Sequence, residues 1–170
     1  MNLNSTRPLP FAATLLIAAS TAMAGPGHGS RPIGEPGKAA EATRTVTIDM
    51  TDDMRFTPAE VSVQQGETLR FIVRNSGVVK HELVLGTPEE LKEHYAMMMK
   101  MPGMEHADDN MVSVAPGKTG EVVWRFTKAG KVDFACLQPG HYDAGMKGLV
   151  NIAEKATVPN PGGHSGGHKH

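Results

Sequence analysis

The chain of 170 residues has one cysteine, one tryptophan, two tyrosines and five phenylalanines. A single cysteine excludes an internal disulfide, so Cys136 must pair between chains, stay free or bind a metal. Neither sign of charge dominates: 17 basic residues face 18 acidic ones, a formal charge of −1. That balance argues against nucleic acid as a partner. The apolar run Phe11–Ala19 is far short of the ~20 residues a spanning helix needs, which argues against a membrane anchor. No βαβ alternation and no long helical repeat is present, so a parallel α/β fold and a helical bundle are both disfavoured.

What the chain has in quantity is glycine (19), proline (12), methionine (11) and histidine (8). Glycine and proline suit a turn-rich β protein; methionine and histidine are soft and borderline metal ligands. Residues 1–24 are predicted to be an export signal, with Arg7 before the apolar run and Ala22-Met23-Ala24 as the cleavage site. No cysteine follows the run and no twin arginine precedes it, so general export out of the cytoplasm without a lipid anchor is expected. Removing this segment leaves 16 basic and 18 acidic residues, a charge of −2. Cleavage after Ala24 places His28 fourth, whereas an amino-terminal copper site needs histidine third. Residues 25–43, rich in Gly, Pro and Ala, read as a flexible leader.

From residue 44 the pattern alternates as strands do. Val46, Ile48 and Met50 share one face, and Phe56-Thr-Pro58 reads as an irregular edge. Val61 and Val63 precede a turn at Gln65-Gly66. Leu69, Phe71 and Val73 form the next strand, closed by Asn75-Ser-Gly77. His81, Leu83 and Leu85 share a parity, which turns His81 inward if the leucines face a core. Thr87-Pro-Glu-Glu90 predicts a capped helix start, opening an insertion over 87–110. Strands resume at Met111–Val114, Val122-Trp124-Phe126, Val132-Phe134-Cys136 and Val150-Ile152. The expected fold is all-β, a Greek-key sandwich of about seven strands over residues 44–153 with a short helical Met/His-rich insertion. Residues 154–170 form a Gly/His tail.

The chemistry concentrates in Phe134-Ala-Cys-Leu-Gln-Pro-Gly-His-Tyr-Asp-Ala-Gly-Met146. Four residues separate Cys136 from His141 and four more separate His141 from Met146. Thiolate, imidazole and thioether are three of the four groups of a mononuclear copper site built from two His, one Cys and a weak axial Met; His81 is the candidate for the fourth. Copper(I) favours sulfur and copper(II) favours nitrogen and tetragonal geometry, so a rigid His2Cys plane with a distant Met tolerates both. Residues 44–153 resemble the cupredoxins, the family of plastocyanin, azurin and the plant phytocyanins, in the Asn75-Ser-Gly77 motif before His81 and in the Cys136, His141, Met146 loop. The resemblance implies one type 1 copper held by His81, Cys136, His141 and Met146. His141 would lie near the surface and His81 would be buried. Glu82 stands where several familiar cupredoxins have an Asn that braces the ligand loop, which opens the prospect of a green rather than a blue site.

A second segment, His94-Tyr-Ala-Met97-Met98-Met99-Lys-Met101-Pro-Gly-Met104-Glu-His106, carries five thioethers and two imidazoles in thirteen residues. It has two readings. A methionine face can fill gaps in a core, or His94, Met97, Met98, Met101, Met104 and His106 can offer a soft site to copper(I) or silver(I). Three adjacent methionines point around a helix and so cannot all face a core. His164, His168 and His170 in the tail are either solvated or weak ligands for divalent metal. Met/His-rich segments beside an exported cupredoxin domain resemble the periplasmic copper-tolerance cupredoxins. The expected role is therefore copper binding in tolerance, with copper ions and a copper exporter as partners. The alternative is one-electron transfer with a periplasmic redox protein. Enzymatic activity is not expected, because copper oxidases need further copper sites and a two-copper electron-entry site needs a second cysteine.

Overall fold

The computed structural model describes residues 33–101 and 107–156. The predicted export segment, His28, Met104, His106 and the three tail histidines lie outside them. The described residues fold as two packed β-sheets with one helix. The first sheet has the order β1-β8-β5-β2-β3 and the second β4-β10-β9-β6-β7. The strands are β1 (Glu35–Pro36), β2 (Arg44–Thr51), β3 (Arg55–Thr57), β4 (Glu60–Gln64), β5 (Thr68–Asn75), β6 (His81–Gly86), β7 (Met111–Val114), β8 (Thr119–Arg125), β9 (Gly130–Ala135) and β10 (Lys147–Ala153). Pairs β2·β5 and β4·β10 are parallel. The chain passes from one sheet to the other between β3 and β4, β4 and β5, β5 and β6, β7 and β8, and β8 and β9. This is the two-sheet architecture that the alternating apolar pattern predicts.

Alternation accounts for the core. Ile48, Met50, Leu69, Phe71, Val73, Leu83, Leu85, Trp124 and Phe134 are fully buried in one cluster between the sheets. Phe56 meets Phe134 edge-on at 5.0 Å and Phe71 meets Phe126 likewise at 6.3 Å, the edge-to-face geometry that aromatic quadrupoles favour. Strand β6 departs from simple alternation, because all six of its residues are buried. Its second face is covered by α1 (Pro88–Lys100), whose Leu91, Tyr95 and Met98 pack with Val84, Met111, Ala135 and Leu137. Full burial of Leu91 or Met98 is worth about 1.5–3 kcal/mol each. The helix begins as its sequence demands: the Thr87 hydroxyl accepts from the Glu90 amide and the Glu90 carboxyl accepts from the Thr87 amide.

Residues 33–43, read from the sequence as part of the leader, pack on the sandwich. Ile33 is buried, its carbonyl accepts from Trp124 Nε1 at 2.8 Å, and β1 pairs with β8. A buried indole N–H needs a partner, and the only tryptophan finds it in a segment that reads as loop. Gly34 makes the approach possible: its φ is +115°, and a Cβ there would lie 2.2 Å from the Arg125 carbonyl oxygen. Described residues before 44 therefore belong to the sandwich.

Candidate metal centre

Two long-range arrangements bring the site together. β6 starts at His81, and β9 ends one residue before Cys136. The two strands are antiparallel neighbours, and the Glu82 amide donates to Cys136 Sγ at 3.4 Å. The chain reaches His81 through a turn held by the buried Asn75. Its Nδ2 donates to the carbonyls of Val79 and Val114, and its Oδ1 accepts from the Gly77 amide. The Asn75-Ser-Gly77 motif thus serves to set the entry to β6.

The loop after Cys136 closes on itself. The Cys136 amide donates to the Met146 carbonyl, the Met146 amide to the His141 carbonyl, and the His141 amide to the Gln138 carbonyl, at 3.0–3.1 Å. Three of the predicted ligands converge. His81 Nδ1 lies 3.2 Å from His141 Nδ1 and 4.0 Å from Cys136 Sγ, and His141 Nδ1 lies 3.3 Å from the same sulfur. All three atoms fall within 4.8 Å of one another. His81 and Cys136 are fully buried and His141 is half-buried. Met146 is fully buried in the same cluster as Cys136, with its backbone tied to both Cys136 and His141.

The donor set fits a copper ion. Two acceptor nitrogens at 3.2 Å repel unless a proton or a cation lies between them. Two imidazole nitrogens and one thiol sulfur are the set that copper takes in electron-transfer sites. Burial pushes the Cys136 thiol from 9.0 up to about 12, against the Glu82 amide hydrogen bond that favours the thiolate. A bound metal must therefore displace this proton. Burial first, and the neighbouring His81 second, hold His141 below its ordinary value, so its lone pair is open to a metal near neutral pH. Copper bound here would supply one-electron exchange, and the protein supplies the fixed ligand atoms.

Residues that hold the ligands were less visible. Glu82 is buried, and its carboxyl accepts from the Leu137 amide (3.0 Å), Gln138 Nε2 (3.0 Å) and Ser113 Oγ (3.2 Å). It braces the ligand loop, so the position read as a departure keeps a bracing role with a different side chain. Tyr95 reaches the same loop from α1: its hydroxyl accepts from the Gly140 amide at 3.1 Å and donates to Asp143 at 2.8 Å. Burial and Asp143 raise its phenol above the usual value. Tyr142 stacks on Tyr95 at 5.1 Å and carries Lys147 Nζ over its ring at 3.7 Å. The insertion is thus a support for the loop as well as a carrier of methionines. Arg55 Nη1 donates to the Ala144 carbonyl at 3.1 Å from the other side.

The remaining candidates on α1 divide. Met98 is buried in the helix packing, whereas Met97, Met99 and Met101 are 47%, 50% and 42% exposed. His94 is half-buried beside Glu90, Asp108 and Asn110. Met98 belongs to the buried cluster with Leu91, Tyr95 and Met111 and so faces the fold, not solvent. Among the described residues no helix is long and apolar enough to cross a membrane.

A two-sheet β-sandwich that gathers two imidazoles and a thiol at one end defines a copper-binding type of domain. Residues 42–153 match the family of copper binding proteins described as plastocyanin/azurin, and the chain belongs to that family. It is 50% identical over 151 residues to the copper-resistant cuproprotein CopI of Rubrivivax gelatinosus, covering 82% of this chain and 92% of that protein. It is 35% identical over 162 residues to CopI of Pseudomonas aeruginosa, covering 78% and 88%. Auracyanin B has the same fold at a TM-score of 0.58, with 21% identity over 74% of this chain and 99% of its own.

Proposed function

We propose that this chain is a periplasmic, non-catalytic copper-binding protein of copper tolerance. It holds one type 1 copper through His81, Cys136, His141 and Met146. The observation that carries the reading is the convergence of the two Nδ1 atoms and Sγ within 4.8 Å. The copper-resistance names of the similar proteins support the tolerance role. The exposed thioethers of Met97, Met99 and Met101 give copper(I) a soft first contact outside the enclosed centre, because thioethers are uncharged and do not titrate.

The test is copper tolerance of cells in which the wild-type gene is replaced by Cys136→Ser. A hydroxyl cannot replace the thiolate as a charge donor, so the purified variant should lose the strong visible absorption of its copper(II) form. Cells carrying it should grow as poorly in copper as cells without the gene. Normal growth with a colourless protein would sink the tolerance role of this centre. Replacing Met97, Met99 and Met101 by Leu should keep the colour and lower copper(I) stoichiometry.

A second reading, one-electron exchange with a periplasmic redox partner, is supported by His141, the half-buried ring on the loop, which gives an electron a shorter way in than the enclosed His81. Copper-independent expression together with loss of respiratory electron flow on deletion would favour it over tolerance.

A further inference from the structure

The chemistry around His81 does not end with its ring. Nε2 lies 3.0 Å from Asp52 Oδ1, although His81 is fully buried and the Asp52 side chain is 37% exposed. Asp52 sits in the turn between β2 and β3, in the first sheet, whereas His81 opens β6 in the second. Its carboxyl is aimed by two further donors: the Val78 amide to Oδ2 at 2.8 Å and the Val79 amide to Oδ1 at 3.4 Å. It also lies so close to Gly77 that a Cβ there would fall 2.0 Å from Oδ1. Two backbone amides, one on each oxygen, and a close-lying glycine thus fix the carboxylate with Oδ1 against the far nitrogen of a ligand ring.

We propose that Asp52 is a positioning residue for the copper centre: it holds His81 as the Nε2–H tautomer and biases the centre toward copper(II). This rests on the copper-site reading above. Two physical reasons support it. A proton held at Nε2 leaves the lone pair on Nδ1, the atom that faces Cys136 and His141, and a carboxylate partner raises the ring's basicity as a ligand. A negative charge attracts a doubly charged ion more than a singly charged one at the same distance. Asp52 therefore strengthens copper(II) binding more than copper(I) binding, and lowers the reduction potential.

The test uses the full chain with Asp52→Asn and Asp52→Ala. In the copper-free wild type, nitrogen NMR of His81 should show a single Nε2–H tautomer, and D52A should show a mixture. Both variants should bind copper(II) about 10–100-fold more weakly, the usual size of such an effect. Copper(I) affinity should fall less, so the potential should rise, by 59 mV for each tenfold difference. D52N removes the charge while retaining the shape, so it carries the test if D52A does not fold. Gly77→Ala, which displaces the carboxylate without removing it, should shift the potential in the same direction. Folded variants with the wild-type potential and an unchanged His81 tautomer would overturn the proposal and leave Asp52 as a turn-closing residue only. If neither wild type nor variants bound copper at the Cys136 site, the parent reading would fail. The tautomer measurement would still decide the positioning of His81.

Discussion

His81 and His141 present the same atom beside the same sulfur, yet they are held by different means. His81 opens a strand that is buried on both faces, and its second nitrogen is tied to Asp52. His141 rides on a loop, half-buried, with its own amide and carbonyl closing that loop onto Gln138 and Met146. The first ligand is placed by pairing between strands, and the second by a short circuit of backbone hydrogen bonds propped from outside. A site of this kind needs both. The sheet fixes one ring, and the loop brings the other toward the surface, where an ion can arrive.

The sharpest way to break the comparison is to delete each ring. His81→Gly and His141→Gly should both abolish the native copper spectrum. Added imidazole should restore a coloured copper(II) centre in H141G, where the gap opens at a half-exposed position. It should fail in H81G, where the vacated space is enclosed and reaching it requires opening the sandwich. Equal rescue of the two variants, read from the visible spectrum, would remove the distinction.

A smaller effect follows from the brace. Glu82→Leu leaves the buried Leu137 amide and Gln138 side chain without their acceptor. Loss of such a partner costs about 1–3 kcal/mol, with hydrogen bonds to charged groups at the upper end. Urea denaturation of the copper-free protein should show that loss, and copper release from the loaded protein should quicken. Stability like wild type would mean that the loop holds its shape unaided.

Tyr95→Phe keeps the ring in its packing and removes the hydroxyl that joins α1 to Gly140 and Asp143. The expected loss is about 1 kcal/mol, the worth of an ordinary hydrogen bond. The copper spectrum should shift slightly, because the altered contact lies beside His141 rather than His81. An altered tautomer at His81 in this variant would contradict the separation of the two halves.

The last effect is on pH. His141 is held below 6.5 in the folded state by burial and by His81. Below that pH the unfolded chain binds more protons, and the copper-free fold weakens as pH falls. Cys136 is raised from 9.0 to about 12. Above 9.0 the unfolded chain loses that proton first, and the copper-free fold weakens as pH rises. These two groups therefore set a window of greatest stability between about 6.5 and 9. Urea midpoints across pH should show the alkaline limb in wild type and a weaker one in Cys136→Ser, where the raised Tyr95 phenol is left.

Much of this was legible from the chain alone, for a physical reason that differs from case to case. Cys136, His141 and Met146 lie within eleven residues, so a loop can gather them whatever surrounds it. The helix start at Thr87 and the inward parity of His81, Leu83 and Leu85 are likewise set by residues a few positions apart. Glu82 did leave a signal, a lone acid inside an otherwise apolar strand, but only the fold shows what it binds. Ile33, Asp52 and Tyr95 left almost none. Each acts on a partner 29 to 91 residues away, and no local period or motif marks such a contact. Spacing along the chain could name the candidate ligands. Which side chains hold them depended on how two sheets and a helix pack, because hydrogen bonds to a ring or a loop amide are made across elements and not along them.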